Sequence, residues 1–291
     1  MKLKFLMLLL VFCLVGCKDN SDPDEPSGFL QVTGSDTIVN AVQSISEEFM
    51  KQYPYIYVAV NGGGSGVGFA SLINKTTDVA TASREITKKE IELAHKRGVE
   101  PNEFIIGFDG VAVIVNNNNP VSQLSIEDLH NIFTGKITSW NQLGDKDLTI
   151  VNLSREVSSG TYAYFKEEVI RLGKKDSLEE FSPQTLLLSS SQAIVEEVSV
   201  NESAVGYLGM GYASDRTKAL KVAKDGNFCA PDVNSVLSGK YPLSRPLYFY
   251  TNGKPEGVTK LFVDFALSPT GQKQMVESGF VPRSSNVVKE D

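Results

Sequence analysis

Three segments of the chain combine hydroxyl side chains with glycines where a predicted strand gives way to a predicted helix. They are GSDT (34–37), NGGGSGVG (61–68) and REVSSGT (155–161). The first turn of a helix has unpaired N–H groups that favour an anion, and glycines allow a ligand to approach the backbone closely. One such turn is also an ordinary helix cap. Three in one chain, with Arg155 four residues before Ser159, predict a binding site for a small oxyanion.

The glycine cluster does not match the common nucleotide or hydrolase motifs. Counting G-x-G-x-x-G from Gly62 or Gly64 ends on Val67 or Phe69. Ser65 is followed two residues later by Val67, where a nucleophile elbow needs glycine. The sequence also contains no G-x-x-x-x-G-K-[ST] segment. Neither a nucleotide enzyme nor a serine hydrolase is therefore indicated by a motif.

Cysteine and histidine are too scarce for a disulfide framework or a histidine-rich metal site. The three cysteines are Cys13, Cys17 and Cys229, and the two histidines, His95 and His130, lie in polar helical patterns that predict surface positions. Only Cys229 lies in the predicted folded part, and it is expected to be an inert packed thiol because no basic residue adjoins it. We expect no metal and no cofactor.

The first 28 residues read as a leader and a tether. A short basic stretch with Lys2 and Lys4 precedes an apolar run at 5–15, which is too short to span a bilayer. The run ends in LVGC (14–17), which resembles a bacterial lipobox, so we predict a signal peptide at 1–16 and lipidation of Cys17. An ordinary signal peptide is the alternative. The acidic segment 17–28 predicts a flexible tether.

Composition and charge favour a globular domain that does not bind nucleic acid. The 291 residues are 41% hydrophobic and 22% charged, with a formal net charge of −7. Removal of the leader takes away two lysines and makes the charge −9. Nucleic-acid affinity depends on lysine and arginine neutralising phosphates, so an anionic ligand would have to be held by local donors.

Apolar runs and helical patterns alternate along the rest of the chain, which predicts an α/β fold with mainly parallel sheets. Strands are predicted at 29–32, 55–60, 78–82, 104–106, 111–115, 150–153, 204–208 and 247–250. Ser125 and Asp128 predict a capping box at the start of one helix. The break at 116–120 and the segment 244–246 are the expected crossings between two domains.

Several stretches resemble the phosphate-binding lipoproteins that serve as solute receptors of Pst-type ABC phosphate importers. They are TGSDT (33–37), NGGGSGVG (61–68), ASRE (82–85), DGVAVIVN (109–116), IFTGKITSWNQLG (132–144) and SREVSSGTYAYF (154–165). The resemblance implies a two-domain periplasmic-binding-protein fold that closes like a clamshell around one phosphate. Domain I would comprise 29–115 and 246–291, and domain II 116–245.

The resemblance also implies which residues grip the ligand. The implied phosphate-binding residues are Ser35, Thr37, Ser65, Arg155, Ser159, Gly160 and Thr161. This chain has Arg84 where some members of the family have an acidic residue that accepts the phosphate's proton, so Arg84 is expected to add positive charge instead. We expect Asp109 to be the acceptor, because it precedes an apolar strand and has no local partner. Asp36, Glu85 and Glu156 are the alternatives.

The expected function is extracytoplasmic capture of inorganic phosphate and delivery to an ABC permease, without catalysis. The expected partners are phosphate, the permease subunits and, through the N-terminal lipid, a bacterial membrane, and the expected state is a monomer. Three alternatives remain open: a receptor for another tetrahedral oxyanion such as sulfate, a phosphatase-like hydrolase with Ser65 or Ser159 as nucleophile, and a phosphate sensor or adhesin.

Overall fold

The computed structural model describes residues 25–144, 146–174 and 176–283. The predicted signal peptide, the lipidation site at Cys17 and the tether up to residue 24 lie outside the described residues. Within the described ranges, no helix combines the length and apolar character needed to cross a bilayer.

The chain alternates between strands and helices. The strands are β1 Gly28–Gly34, β2 Ile56–Asn61, β3 Val79–Ala82, β4 Pro101–Val115, β5 Gln123–Ser125, β6 Val151–Arg155, β7 Leu186–Leu188, β8 Ala204–Gly209, β9 Lys218–Ala219, β10 Lys221–Lys224, β11 Asn227–Cys229 and β12 Ser244–Asn252. The α-helices are α1 Val39–Gln52, α2 Ser65–Ile73, α3 Lys88–Lys96, α4 Ile126–Phe133, α5 Gly160–Phe165, α6 Ser191–Val200, α7 Val233–Leu237, α8 Gly257–Leu267 and α9 Pro269–Glu277. A π-helix, Lys166–Ile170, directly continues α5.

Strand pairing divides the fold into two lobes. The order β2-β1-β3-β12-β4-β8-β6-β7 forms one curled sheet, and β9 also pairs with β4. We call β1–β3, β12 and residues 101–110 of β4 the first lobe, with α1–α3, α8 and α9. The second lobe contains residues 111–115 of β4, β5–β11 and α4–α7. The strands β5, β10 and β11 form a small separate sheet.

The sheet is mixed, whereas the sequence predicted mainly parallel strands. β1 pairs in parallel with β2 and β3, and β6 with β7 and β8. The strands between these flanks, β12 and β4, pair antiparallel with each other and with their neighbours. These two strands carry the chain between the lobes in opposite directions, which requires the antiparallel pairs in the middle.

The long strand β4 is the main connection between the lobes. Its first part pairs with β12 up to Gly110, opposite Ser244, and from Val111 it pairs with β8. The sequence predicted two separate strands here and a crossing after residue 115. The partner change lies five residues earlier, inside the apolar run, because both faces of residues 111–115 are covered and the strand has no polar break there.

Local capping signals position the helices as the sequence predicts. The Ser125 hydroxyl accepts the Asp128 N–H and the Asp128 carboxylate accepts the Ser125 N–H, so the predicted capping box is confirmed. His130 on the same helix is buried, not on the surface as predicted. Its Nδ1 lies 2.9 Å from the Ile170 carbonyl oxygen, at the end of the π-helix.

Candidate functional site

The three parallel strands of the first lobe deliver hydroxyl groups to one edge of the sheet. Ser35 follows β1, Ser65 begins the helix after β2, and Ser83 follows β3. Gly34 makes the close approach of β1 and β3 possible, because a Cβ added there would lie 2.1 Å from the carbonyl oxygen of Thr81. The carboxyl ends of neighbouring parallel strands therefore place their polar turns together, the usual place for a ligand in an α/β sheet.

These hydroxyls form a buried cluster. The Ser35 Oγ donates to Ser83 Oγ over 3.1 Å, and Ser65 Oγ accepts the Ser83 N–H over 3.0 Å. Thr37 Oγ1 lies 3.5 Å from Ser83 Oγ. Each of these residues is nearly inaccessible to solvent. Hydroxyls can donate as well as accept, so this cluster can turn its donors toward an oxyanion.

The second lobe adds the start of α5 to the same cluster. Thr161 Oγ1 lies 2.7 Å from Thr37 Oγ1, and Ser159 Oγ accepts the Thr161 N–H as the helix cap. A Cβ added to Gly160 would lie 2.3 Å from Ser65 Oγ and 2.6 Å from Ser83 Oγ. The lobes thus meet at the hydroxyls, and only glycine fits between them.

Arg155 is buried beside the cluster and is neutralised from the other lobe. Its Nη1 lies 3.0 Å from Asp36 Oδ2 and donates to Ser191 Oγ over 2.7 Å. Its Nη2 donates to the carbonyl oxygen of Ser189, while its buried Nε has no hydrogen-bond partner in the described part of the chain. Burial lowers the pKa of the guanidinium and Asp36 opposes that shift. The buried Nε can therefore donate to a bound anion or to an ordered water.

Asp109 has a buried partner, contrary to the sequence-based expectation. Arg245 lies directly opposite it in the β4–β12 pairing and donates to its Oδ2 from Nε over 3.0 Å and from Nη2 over 2.7 Å. The Met210 N–H donates to Oδ1. Burial raises the pKa of Asp109, and Arg245 opposes that shift. The carboxylate therefore already accepts three hydrogen bonds, which use most of its acceptor capacity.

Arg245 connects this ion pair to the hydroxyl cluster. Its Nη2 also donates to Thr161 Oγ1 over 2.9 Å, and its Nη1 donates to the carbonyl oxygen of Ser83 over 3.0 Å. One buried guanidinium thus contacts both lobes and the strand pair between them. Arg245 and Ser83 were missed by the sequence analysis. The available signals were a cation at the predicted return crossing 244–246 and the second position of the ASRE segment.

Arg84 was expected to add positive charge at the site, but its side chain lies outside the hydroxyl cluster. Its two terminal nitrogens bind the Glu90 carboxylate over 2.9 and 2.7 Å, and its guanidinium lies 4.8 Å from the centre of the Phe69 ring. Its side chain faces a cavity of about 680 Å³ between the lobes, which Arg245 and Tyr164 also line. The cause is local, since Glu90 lies in the first turn of α3 and offers a carboxylate six residues along the chain.

Neither of the two histidines lies beside the hydroxyl cluster. His95 is exposed on α3 beside Glu100, and His130 bonds the π-helix, so neither contacts Ser65 or Ser159. In residues 25–283, leaving aside 145 and 175, no group of three or more histidine, cysteine or acidic side chains is arranged to hold a metal ion. The arrangement offers hydrogen-bond donors and buried positive charge, without a base beside a nucleophile.

Comparisons of sequence and structure agree on one family. The sequence model described as PBP superfamily domain matches residues 20–270. The chain is 31% identical to the phosphate-binding protein PstS of Pseudomonas aeruginosa, across 99% of this chain and 98% of that protein. It is 34% identical to the PstS of Staphylococcus saprophyticus, across 94% of this chain and 86% of that protein.

Two solved structures share the fold at similar identity. A putative phosphate ABC transporter substrate-binding protein of Clostridium perfringens, solved with bound phosphate, superposes with a TM-score of 0.79 at 30% identity, covering 88% of this chain and all of that one. An ABC-type phosphate transport receptor of Vibrio cholerae gives 0.69 at 31% identity, covering 87% and 99%. With its two-domain periplasmic-binding-protein fold, the chain belongs to the family of Pst-type phosphate-binding proteins.

Proposed function

We propose that this protein captures inorganic phosphate outside the cytoplasmic membrane and delivers it to an ABC permease. One observation carries the proposal: four hydroxyls of the first lobe, the start of α5 and the buried Arg245 guanidinium meet between the lobes. A second buried guanidinium, that of Arg155, pairs with Asp36, which lies between Ser35 and Thr37 in the chain. A tetrahedral oxyanion can accept hydrogen bonds in all directions, and a guanidinium matches two of its oxygens at once.

The proposed binding residues drop two members of the sequence-based set, Arg84 and Asp109, and add Ser83 and Arg245. They are Ser35, Thr37, Ser65, Ser83, Arg155, Ser159, Gly160, Thr161 and Arg245. Arg84 is left out because both of its terminal nitrogens bind Glu90, whereas Arg155, although paired with Asp36, keeps a buried Nε without a partner among the described residues. Asp109 is assigned to holding Arg245 in place, since its carboxylate is already engaged.

We place the domain boundary where the strands change partners. Domain I would then comprise 25–110 and 244–283, and domain II 111–243. The Asp109–Arg245 pair lies at both crossings, so a hinge at this point would leave the pair intact while the lobes separate. The proposal also includes lipidation of Cys17, a monomeric state and no catalysis.

Titration calorimetry with phosphate, arsenate and sulfate tests the proposal. We expect one phosphate per chain, comparable binding of arsenate, and weaker binding of sulfate. Stronger binding of sulfate would make the protein a sulfate receptor. Release of phosphate from a phosphate monoester by the purified protein would favour the hydrolase instead.

A further inference from the structure

The glycine-rich loop after β2 bonds directly to the second lobe at a residue outside the proposed phosphate site. The Gly66 N–H donates to the carbonyl oxygen of Ser158 over 2.9 Å. In return, the Ser158 hydroxyl donates to the carbonyl oxygen of Gly63 over 3.2 Å. The Gly63 carbonyl of the loop and the Gly66 N–H at the start of α2 are therefore paired with the segment before α5, and neither bond involves a residue of the proposed phosphate site.

Glycine is required at this contact for steric reasons. A Cβ added to Gly64 would lie 2.6 Å from the Ser158 carbonyl oxygen, and the Gly64 φ of +102° is itself unfavourable for other residues. A Cβ on Gly66 would lie 3.2 Å from the same oxygen, although Gly66 has an ordinary helical conformation. The sequence analysis assigned the glycines of 61–68 to ligand approach, and at Gly64 and Gly66 the structure places the Ser158 backbone at this distance.

We propose that residues 63–66 and Ser158 form a latch that holds the two lobes together whether or not phosphate is bound. The latch exists only in the closed arrangement, so it stabilises that arrangement and slows the opening that releases phosphate. Gly66 and Ser158 are thus positioning residues that set the lifetime of the complex. This inference rests on the proposed function, because phosphate is the ligand whose release it concerns.

The geometry separates the latch from the ligand site. Phosphate contacts would be lost or gained with the ion, whereas the bonds from Gly66 and Ser158 depend only on how closely the lobes approach. A weakened latch should therefore change the dissociation rate and the shape of the phosphate-free protein, while the association rate stays nearly the same.

Gly66→Ala and Gly66→Leu test the latch with little risk to folding. Alanine and leucine are better helix formers than glycine by roughly 0.5–1 kcal/mol, so neither change should weaken α2 itself. Each adds atoms toward the Ser158 carbonyl. Gly62→Ala is the matched control, because its added Cβ would find its nearest neighbour, a Val39 methyl, at 3.8 Å. Ser158→Ala removes only the bond to Gly63 and provides a second, milder variant.

We expect Gly66→Leu to raise the phosphate dissociation rate about tenfold, the equivalent of roughly one hydrogen bond. The association rate should change little. Small-angle scattering of the phosphate-free variant should give a larger radius of gyration than that of the parent. Gly62→Ala should match the parent in both its phosphate dissociation rate and its radius of gyration.

The latch proposal is wrong if Gly66→Leu has the same phosphate dissociation rate and the same phosphate-free radius of gyration as the parent. If Gly66→Leu melts at a lower temperature than the parent, Ser158→Ala decides by the same two readouts. If the parent fails to bind phosphate, the proposed function fails, and the scattering of the phosphate-free proteins still decides the latch.

Discussion

The two buried arginines of the site differ in where their counter-charges come from. Asp36 reaches Arg155 from the opposite lobe, so that ion pair is made only when the lobes are together. Asp109 reaches Arg245 from the neighbouring strand, so that pair persists through a hinge motion. The Arg155–Asp36 ion pair therefore forms only when the lobes close, whereas Arg245 stays in place between the lobes in both arrangements.

Arg155→Ala should remove most of the phosphate affinity. Truncating one member of a buried charge pair commonly costs about 2–5 kcal/mol, which corresponds to roughly thirtyfold or more in affinity. Calorimetry measures the loss, and circular dichroism checks the fold. Arg84→Ala is the matched control, because Glu90 holds that guanidinium outside the cluster; its affinity should stay within about twofold of the parent, a difference near 0.4 kcal/mol. If the two variants lose phosphate affinity equally, Arg84 is a phosphate-binding residue after all.

Asp109→Asn should destabilise the protein by about 3–5 kcal/mol, because it leaves the Arg245 charge buried without its counter-charge. Urea denaturation measures this change. Phosphate and sulfate binding should weaken together, since Asp109 acts through Arg245. If the variant instead loses preference for phosphate over sulfate, Asp109 accepts the phosphate's proton after all.

At the scale of single residues, the sequence predicts the hydroxyl turns well but misassigns the charges. Ser35, Ser65 and Thr161 stand beside glycines at strand ends, and that local pattern leads directly to their place in the cluster. The partners of Arg84, Asp109 and Arg245 depend on strand register and on pairs 6 and 136 residues apart. The Asp109–Arg245 pair cannot be found from the spacing within one segment, and the Arg84–Glu90 pair depends on how the segment before α3 turns.

Among the elements, α3 shows how a helix cap removes Arg84 from the site. Thr87 caps the helix with Glu90 in a capping box, and Glu90 also binds Arg84. Burial tends to raise the pKa of Glu90, but the hydrogen bonds from Arg84 and Thr87 outweigh it and hold that pKa below its ordinary value. The charged form of Glu90 is thus the stabilising form.

Glu90→Gln should reduce the free energy of unfolding by about 1 kcal/mol at neutral pH. Because the folded-state pKa is depressed, this contribution is complete above the unfolded pKa of about 4.3 and disappears as the pH falls through the lower folded value. Urea denaturation of parent and variant at pH 7 and pH 3 should give a difference that shrinks at the lower pH. A constant difference would show that the Glu90 charge does not contribute.

The strands illustrate which elements a sequence can specify. The capping box of α4 and the strands β1 and β3 follow from local patterns. The change of partners within β4 does not, because residues 111–115 are equally apolar on both sides of the strand and carry no marker of which sheet they join. Antiparallel pairing of β4 with β12 likewise depends on residues more than a hundred positions apart.

For the molecule as a whole, the proposed attachment to a membrane rests on Cys17. A Cys17→Ala protein expressed in a bacterium should lose metabolic labelling with palmitate and leave the membrane fraction. A Cys229→Ser protein, altered at a free, half-buried cysteine of the folded part, should keep both properties. A Cys17 variant that stays labelled would place the lipid elsewhere.

The location of the bound anion tests the central claim most directly. In a crystal of the protein grown with arsenate, anomalous scattering from arsenic marks the ion without relying on shape. We predict one arsenic between the lobes, with its oxygens within hydrogen-bond distance of Ser65, Thr161 and Arg155. An arsenic peak beside Arg84, or on the surface of either lobe, would contradict the account.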